Sequence, residues 1–157
     1  MRLTTVPVIA AALLGGCQTT DEMPASALGQ ATLRTASGTP AGTVRMLGAG
    51  TDVALSVSLS GLPEGRYGVH LHPTASCEPT DFASAGAHLS DFPTAVIGAS
   101  GAGTVSGLLP DSPEEVLAQI FDADGTALAI HAGVGSDRAG PAGASGSPIA
   151  CGVLVQN

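Results

Sequence analysis

The sequence predicts an all-β domain, a sandwich or barrel of eight short strands, on three observations. Apolar and polar residues alternate over short stretches. Turn residues recur between those stretches, with 22 glycines and 11 prolines among 157 residues. No helical period extends beyond one turn. The chain is 44% hydrophobic, enough to bury one domain's core, yet it has only three Phe, one Tyr and no Trp. Val, Leu, Ile and Ala must therefore fill the interior.

The first residues read as a processing signal. Met1-Arg2 supplies a positive charge, Val6 to Leu14 is apolar, and Leu14-Gly15-Gly16-Cys17 follows. Small residues just ahead of a cysteine have the form of a bacterial lipobox, cleaved before Cys17 and lipidated on its thiol. The apolar run is too short to span a bilayer permanently. The expected organisation is a lipoprotein signal peptide over 1–16, a polar lipidated tether over 17–29 and a domain over 30–157. That organisation places the protein in a bacterial cell envelope, anchored at the inner or outer membrane and facing the periplasm. With the leader removed, the four remaining arginines and no lysine against 13 acidic residues leave a net charge of −9. Such a surface excludes nucleic acid as a partner and leaves the acyl chains to hold the bilayer.

Along the domain, residues 30–36 and 41–47 form a first hairpin about Ser37-Gly38-Thr39-Pro40. Residues 51–60 give the clearest strand, with Val53, Leu55, Val57 and Leu59 on one face and Asp52, Ala54, Ser56 and Ser58 on the other. Gly61 to Gly65 turns the chain into a strand over 66–72. After a loop, 94–99 and 104–109 flank a Gly-rich hairpin turn. Ser112, Pro113 and Glu115 have N-cap, N1 and N3 character and predict a single capped helical turn. Residues 117–121 and 127–131 read as a hairpin about Asp122-Ala123-Asp124-Gly125-Thr126. A long Gly/Ala/Ser/Pro loop over 133–147 precedes a closing segment, 149–156.

The chemistry lies in four histidines. His70 and His72, one residue apart on a strand, share a face. His88 follows in a Gly/Ala-rich loop, and His131 ends the 127–131 strand. A lone histidine on a strand more often packs than binds metal. A same-face pair, a third ring from a loop and a fourth from another strand complete an all-nitrogen site, which suits copper and zinc alike. Of the three cysteines, Cys17 is assigned to lipid. Cys77 and Cys151 remain as an even pair in an oxidising compartment, either bridged or as two buried thiols. A bridge would close a loop of about 75 residues, worth about 4 kcal/mol in the chain-entropy picture.

Gly68-Val69-His70-Leu71-His72 followed by Cys77, Ser84-Ala85-Gly86-Ala87-His88, the segment from Asp122 to His131, and Ala150-Cys151-Gly152-Val153-Leu154 together resemble the bacterial copper–zinc superoxide dismutase family, in order and over most of 30–156. The resemblance implies an eight-stranded Greek-key β-barrel. It implies copper ligands at His70, His72 and His131, and His88 in the place of the histidine that bridges copper and zinc. It also implies an intrasubunit Cys77–Cys151 disulfide.

Two departures accompany the resemblance. The segment that follows the bridging histidine in the family, with further histidines and an aspartate for zinc, is almost entirely missing. His88-Leu89-Ser90-Asp91 also resembles the end of that segment, but a four-coordinate zinc site cannot be assembled from the histidines left. Pro148 stands where the family has an arginine that guides the anionic substrate, a kind of steering worth about 10–10³ in on-rate. Arg138 is a candidate substitute. Asp91 and Asp137 are candidates to orient ligand rings.

The expectation is a copper-only superoxide dismutase-like lipoprotein without zinc, converting superoxide to O₂ and hydrogen peroxide. His88 would serve as its catalytic acid–base. The alternative is a non-catalytic envelope lipoprotein that buffers or delivers copper, and a third reading is a structural barrel with relic histidines.

Overall fold

The structure, a computed structural model, describes residues 26–134 and 146–157. The alternating stretches become strands β1 (Ala27–Thr35), β2 (Pro40–Ala49), β3 (Asp52–Ser60), β4 (Gly65–His72), β5 (Ser90–Ile97) and β6 (Ala102–Leu109). Helix α1 (Pro113–Ile120), β7 (Ala127–His131), β8 (Pro148–Val153) and the short β9 (Val155–Gln156) complete the order. Neighbours run β5-β4-β7-β8-β1-β2-β3-β6, all pairs are antiparallel, and β9 joins β1. The two end strands lie side by side, so the sheet curls into a nearly closed eight-stranded barrel. The connections from β3 to β4 and from β6 to β7 join strands that are not neighbours in the sheet, as a Greek key requires.

Alternation fills the barrel. Along β3, Val53, Leu55, Val57 and Leu59 are buried and pack with Leu33, Val44 and Met46 from β1 and β2. The small interior explains how a chain so poor in aromatic residues can close-pack: aliphatic side chains suffice. β4 departs from alternation, because Tyr67 through His72 are all buried. Val69 and Leu71 join the core, whereas His70 and His72 lie on the opposite face beneath the loop that links β4 to β5. That covered outer face positions the site.

The covering loop is fastened by the Cys77–Cys151 disulfide, which joins it to the middle of β8 across 74 positions. Cys151 pairs with Arg34 of β1 and Ala129 of β7. Phe82, Ala85 and Ala127 pack around the bridge as a small second cluster. Phe82 holds φ at 54°, a left-handed conformation compensated by burial of its ring. Of the two arrangements open to the cysteines in the sequence, the bridge is the one formed.

Three local expectations change. Residues 117–120 belong to α1, not to a strand, and β7 pairs with β4 and β8 instead of a preceding partner. Ser112 accepts from the Glu115 amide while the Glu115 carboxylate accepts from the Ser112 amide, a complete capping box. Val116 and Ile120, four apart, bury one face of the helix, so the cap and the i, i+4 pair outweigh the strand-like run. The hairpin expected from 94–99 and 104–109 keeps its turn, Gly98 donating to Ala102. Among the described residues no ladder joins β5 to β6; β6 pairs along its whole length with β3. A side chain at Gly103 would collide with the Val96 carbonyl, so the seam closes only because that position is glycine. Finally, β1 begins at Ala27, ahead of Gln30, because Ala27 pairs with Leu47 and Leu28 accepts from Asn157.

The signal peptide, Cys17, Asp137 and Arg138 lie outside the described residues. Among the described residues no helix is long and apolar enough to cross a membrane.

Replacing Ser112 with Ala should destabilise the domain by about 1 kcal/mol in denaturant unfolding, the usual worth of an N-cap. An unchanged midpoint would contradict the capped helix.

Candidate metal centre

Register and the covering loop bring the four histidines together. In the β4–β7 ladder Gly68 faces His131, and in the β4–β5 ladder His70 faces Asp91. Leu89 donates its amide to the Leu71 carbonyl at 2.7 Å, which seats the loop and delivers His88 beside β4. Ring centroids of His70 and His88 lie 3.9 Å apart and nearly parallel. His131 approaches His70 and His88 edge-on at 5.0 Å each, and His88 approaches His72 at 5.0 Å. All four rings are buried, His88 the least completely at 8% exposure.

The hydrogen bonds set the direction of each ring. His72 Nδ1 donates to the Gly86 carbonyl at 2.9 Å and His131 Nδ1 to the Gly146 carbonyl at 2.8 Å. A carbonyl only accepts, so each Nδ1 carries the hydrogen and each neutral ring turns a bare Nε2 the other way. Those two Nε2 atoms face each other at 3.4 Å. His70 Nδ1 donates to the Asp91 carboxylate at 2.9 Å, and its Nε2, like that of His88, is buried without a partner. Facing lone pairs repel, and each buried unpartnered nitrogen costs about 1–3 kcal/mol. A cation held by His72, His88 and His131 would relieve the facing pair and give the His88 nitrogen a partner.

The spacing suits a metal. With metal–nitrogen bonds of about 2.0–2.1 Å, a 3.4 Å separation subtends roughly 108–116°, in the trigonal-to-tetrahedral range. His72, His88 and His131 form one group whose ligand atoms lie within 4.8 Å of one another. His70, His88 and Asp91 form a second group at the same criterion, sharing His88. The constellation is therefore tightest at His72, His88 and His131, with His70 joined through His88.

Backbone room is part of the design. A Cβ on Gly68 would come within 2.8 Å of both His70 Nε2 and the Gly133 carbonyl, so any side chain there would displace a ring of the site. Gly86 and Gly146 hold φ at 87° and 76°, values that let their carbonyls turn toward His72 and His131. Sequence reasoning passed over both acceptors. Their only signal was glycine on the approach to each ligand, in segments already rich in glycine.

Burial holds all four imidazoles below their ordinary pKa. For His88 desolvation is joined by repulsion from His70 and His131, and the value falls to about 4. For His70 desolvation and His131 outweigh the opposing pull of Asp91. The rings are thus neutral at pH 7 and available as ligands.

The four histidine rings lie in one cluster, within which the ligand atoms of His72, His88 and His131 are mutually close and His70 stands with His88 and Asp91. Asp91, a candidate to orient a ligand ring, hydrogen-bonds His70. Pro148 sits opposite His131 at the start of β8, half-buried, where an arginine was missing from the sequence pattern.

Residues 40–154 match the sequence profile of copper/zinc superoxide dismutase. The chain belongs to that family. Similar proteins include the Cu-Zn superoxide dismutase of Caulobacter vibrioides, 30% identical over 145 residues that cover 79% of this chain and 83% of the relative. The superoxide dismutase-like protein YojM of Bacillus subtilis is 31% identical over 127 residues, 69% of this chain and 64% of that protein. A solved double mutant of a superoxide dismutase-like protein from Bacillus subtilis superposes with a TM-score of 0.72 at 28% identity, covering 83% of this chain and 99% of that one. The Cu/Zn superoxide dismutase of Brucella abortus shares the fold, with a TM-score of 0.60 at 22% identity over 79% of this chain and 97% of its own. Family membership carries a superoxide dismutase-like function and a metal site built on this histidine cluster.

The lowered pKa values give the metal-free domain a defined pH response. Unfolded histidines titrate near 6.5. Between about 6.5 and the lower folded values the unfolded chain binds more protons, so stability is full above about 6.5 and falls as pH drops toward 4. Unfolding of the metal-free protein in urea should show a lower midpoint at pH 5 than at pH 7.5, with a smaller drop in a His88→Gln variant. Equal drops in the two proteins would contradict a buried, neutral His88.

Proposed function

We propose that this protein is a copper-dependent superoxide dismutase of the bacterial envelope, working with copper alone and tethered by lipid on Cys17. The observation that carries the reading is a buried cluster of four neutral imidazoles in which His72, His88 and His131 bring their ligand atoms within 4.8 Å of one another. Imidazole nitrogen suits copper, and in this family it serves one-electron chemistry. His72 and His131 would hold the ion through Nε2, their rings fixed by the Gly86 and Gly146 carbonyls. His88 and His70 would complete the set.

Copper, when bound, supplies the exchange of one electron with each of two superoxide ions, giving O₂ from one and peroxide from the other. The chain's own residues do the rest. The tight ring cluster keeps the ligand nitrogens in place without a metal. The covering loop, pinned by Cys77–Cys151, excludes bulk water from His72 and His131. His88 is the most exposed of the four rings, so it is the one solvent reaches first and the natural carrier of protons to the peroxide product.

A second reading is a copper-binding envelope lipoprotein that buffers or delivers the metal without turnover. Pro148 beside His131 favours it, because that position offers no positive charge to an approaching anion. The net charge of −8 points the same way.

Copper titration of the purified protein should reach one equivalent, with nitrogen ligation in the electron paramagnetic resonance spectrum. Pulse radiolysis should then show superoxide decaying faster with the loaded protein than with the metal-free one. Binding without acceleration would leave the buffering reading; absence of binding would remove both.

A further inference from the structure

We infer that the Cys77–Cys151 bridge is a thiol-exchange site, which a dithiol reductant reaches through an open cleft and attacks at the Cys77 sulfur. The cleft, about 220 Å³, lies between the β1–β2 hairpin, the covering loop and β8. Both cysteines line it, with Arg34 and Thr35 on the hairpin side and Pro79 and Phe82 on the loop side. The two cysteines differ in access: Cys77 is half-buried, whereas Cys151 is 2% exposed. Exchange depends on which sulfur can be reached, and an incoming thiolate meets Cys77 first.

Charge points the same way. Among the described residues the cleft wall holds one cation, Arg34, and no carboxylate, on a chain of net charge −8. Arg34 faces Cys151 in the β1–β8 ladder, so the two side chains leave the same face of the sheet as close neighbours. A bond from Arg34 Nη1 to the Gly38 carbonyl at 2.9 Å holds the guanidinium against the hairpin that walls the cleft. The cation draws in an anionic thiolate and stabilises the one that Cys151 becomes on leaving. In the first step the reductant's thiolate bonds to the Cys77 sulfur, the S–S bond breaks and its electron pair stays on Cys151. The reductant's second thiol, after losing its proton, displaces Cys77 and closes a disulfide within the reductant. Two protein thiols result, and the loop that carries Gly86 and His88 is unfastened from β8.

The full chain, metal-free and with Cys17 blocked by alkylation, is reduced with dithiothreitol with and without sub-denaturing urea. A brief exposure to glutathione, quenched with acid, traps the mixed disulfide for peptide mapping. The rate should be first order in dithiothreitol and nearly unchanged by urea, with the glutathione adduct on Cys77. Arg34→Gln should slow exchange about 3–10-fold at low salt, and Arg34→Lys should restore most of the rate. A rate that climbs steeply with urea would mean attack on the unfolded chain and overturn the inference. An adduct mainly on Cys151, or a wild-type rate in Arg34→Gln, would overturn it as well. None of these readouts needs copper, so they stand or fall apart from the proposed function.

Discussion

In a neutral imidazole only one nitrogen carries hydrogen, so a ring whose Nδ1 donates to a buried acceptor must present a bare Nε2 on its other side. This constraint governs the centre of the molecule. Gly86, Gly146 and Asp91 each take one Nδ1 hydrogen, and the opposed nitrogens of His72 and His131 are left 3.4 Å apart. Without a cation the arrangement is repulsive and desolvated. Nothing in the barrel requires it for folding, since the aliphatic core is complete without these rings. The surrounding structure maintains the strain: β4 fixes two rings, β7 a third, and a disulfide-bound loop the fourth together with its glycine acceptor.

Much of this was readable from the chain. Period-two patterning in residues 51–60 gave β3 and its core face, and turn residues placed most strands. The i, i+2 spacing of His70 and His72 put both on one face, and the family motifs supplied His88, His131 and the cysteine pair. What was not readable followed from tertiary context. The run 117–121 carries no local mark separating a strand from the last turn of a helix. The decision came from the cap at Ser112 and from Ile120 packing on the core. Asp91 was legible as a candidate to orient a ligand ring, but not which ring. Strand register, which sequence proximity does not encode, pairs it with His70. The carbonyls of Gly86 and Gly146 were invisible because a backbone acceptor leaves no residue-type signature.

The same geometry separates holding a metal from attracting a substrate. Ligand orientation depends on short-range hydrogen bonds inside a buried cluster, which salt and surface charge hardly touch. Attraction of an anion depends on the field at the mouth of the site, where an acidic chain and Pro148 offer little help. The histidine cluster is buried and held by short hydrogen bonds, whereas position 148, beside His131, carries no charge. A dismutase of this form would owe its rate to chemistry at the ion more than to focused encounter.

The most direct test of the account is the protonation of the ring nitrogens themselves. Long-range ¹H–¹⁵N correlation spectra of the metal-free protein at pH 7 report which nitrogen of each imidazole bears hydrogen. The account predicts neutral rings protonated at Nδ1 and bare at Nε2 for His70, His72 and His131. Rings protonated at Nε2, or doubly protonated, would contradict it.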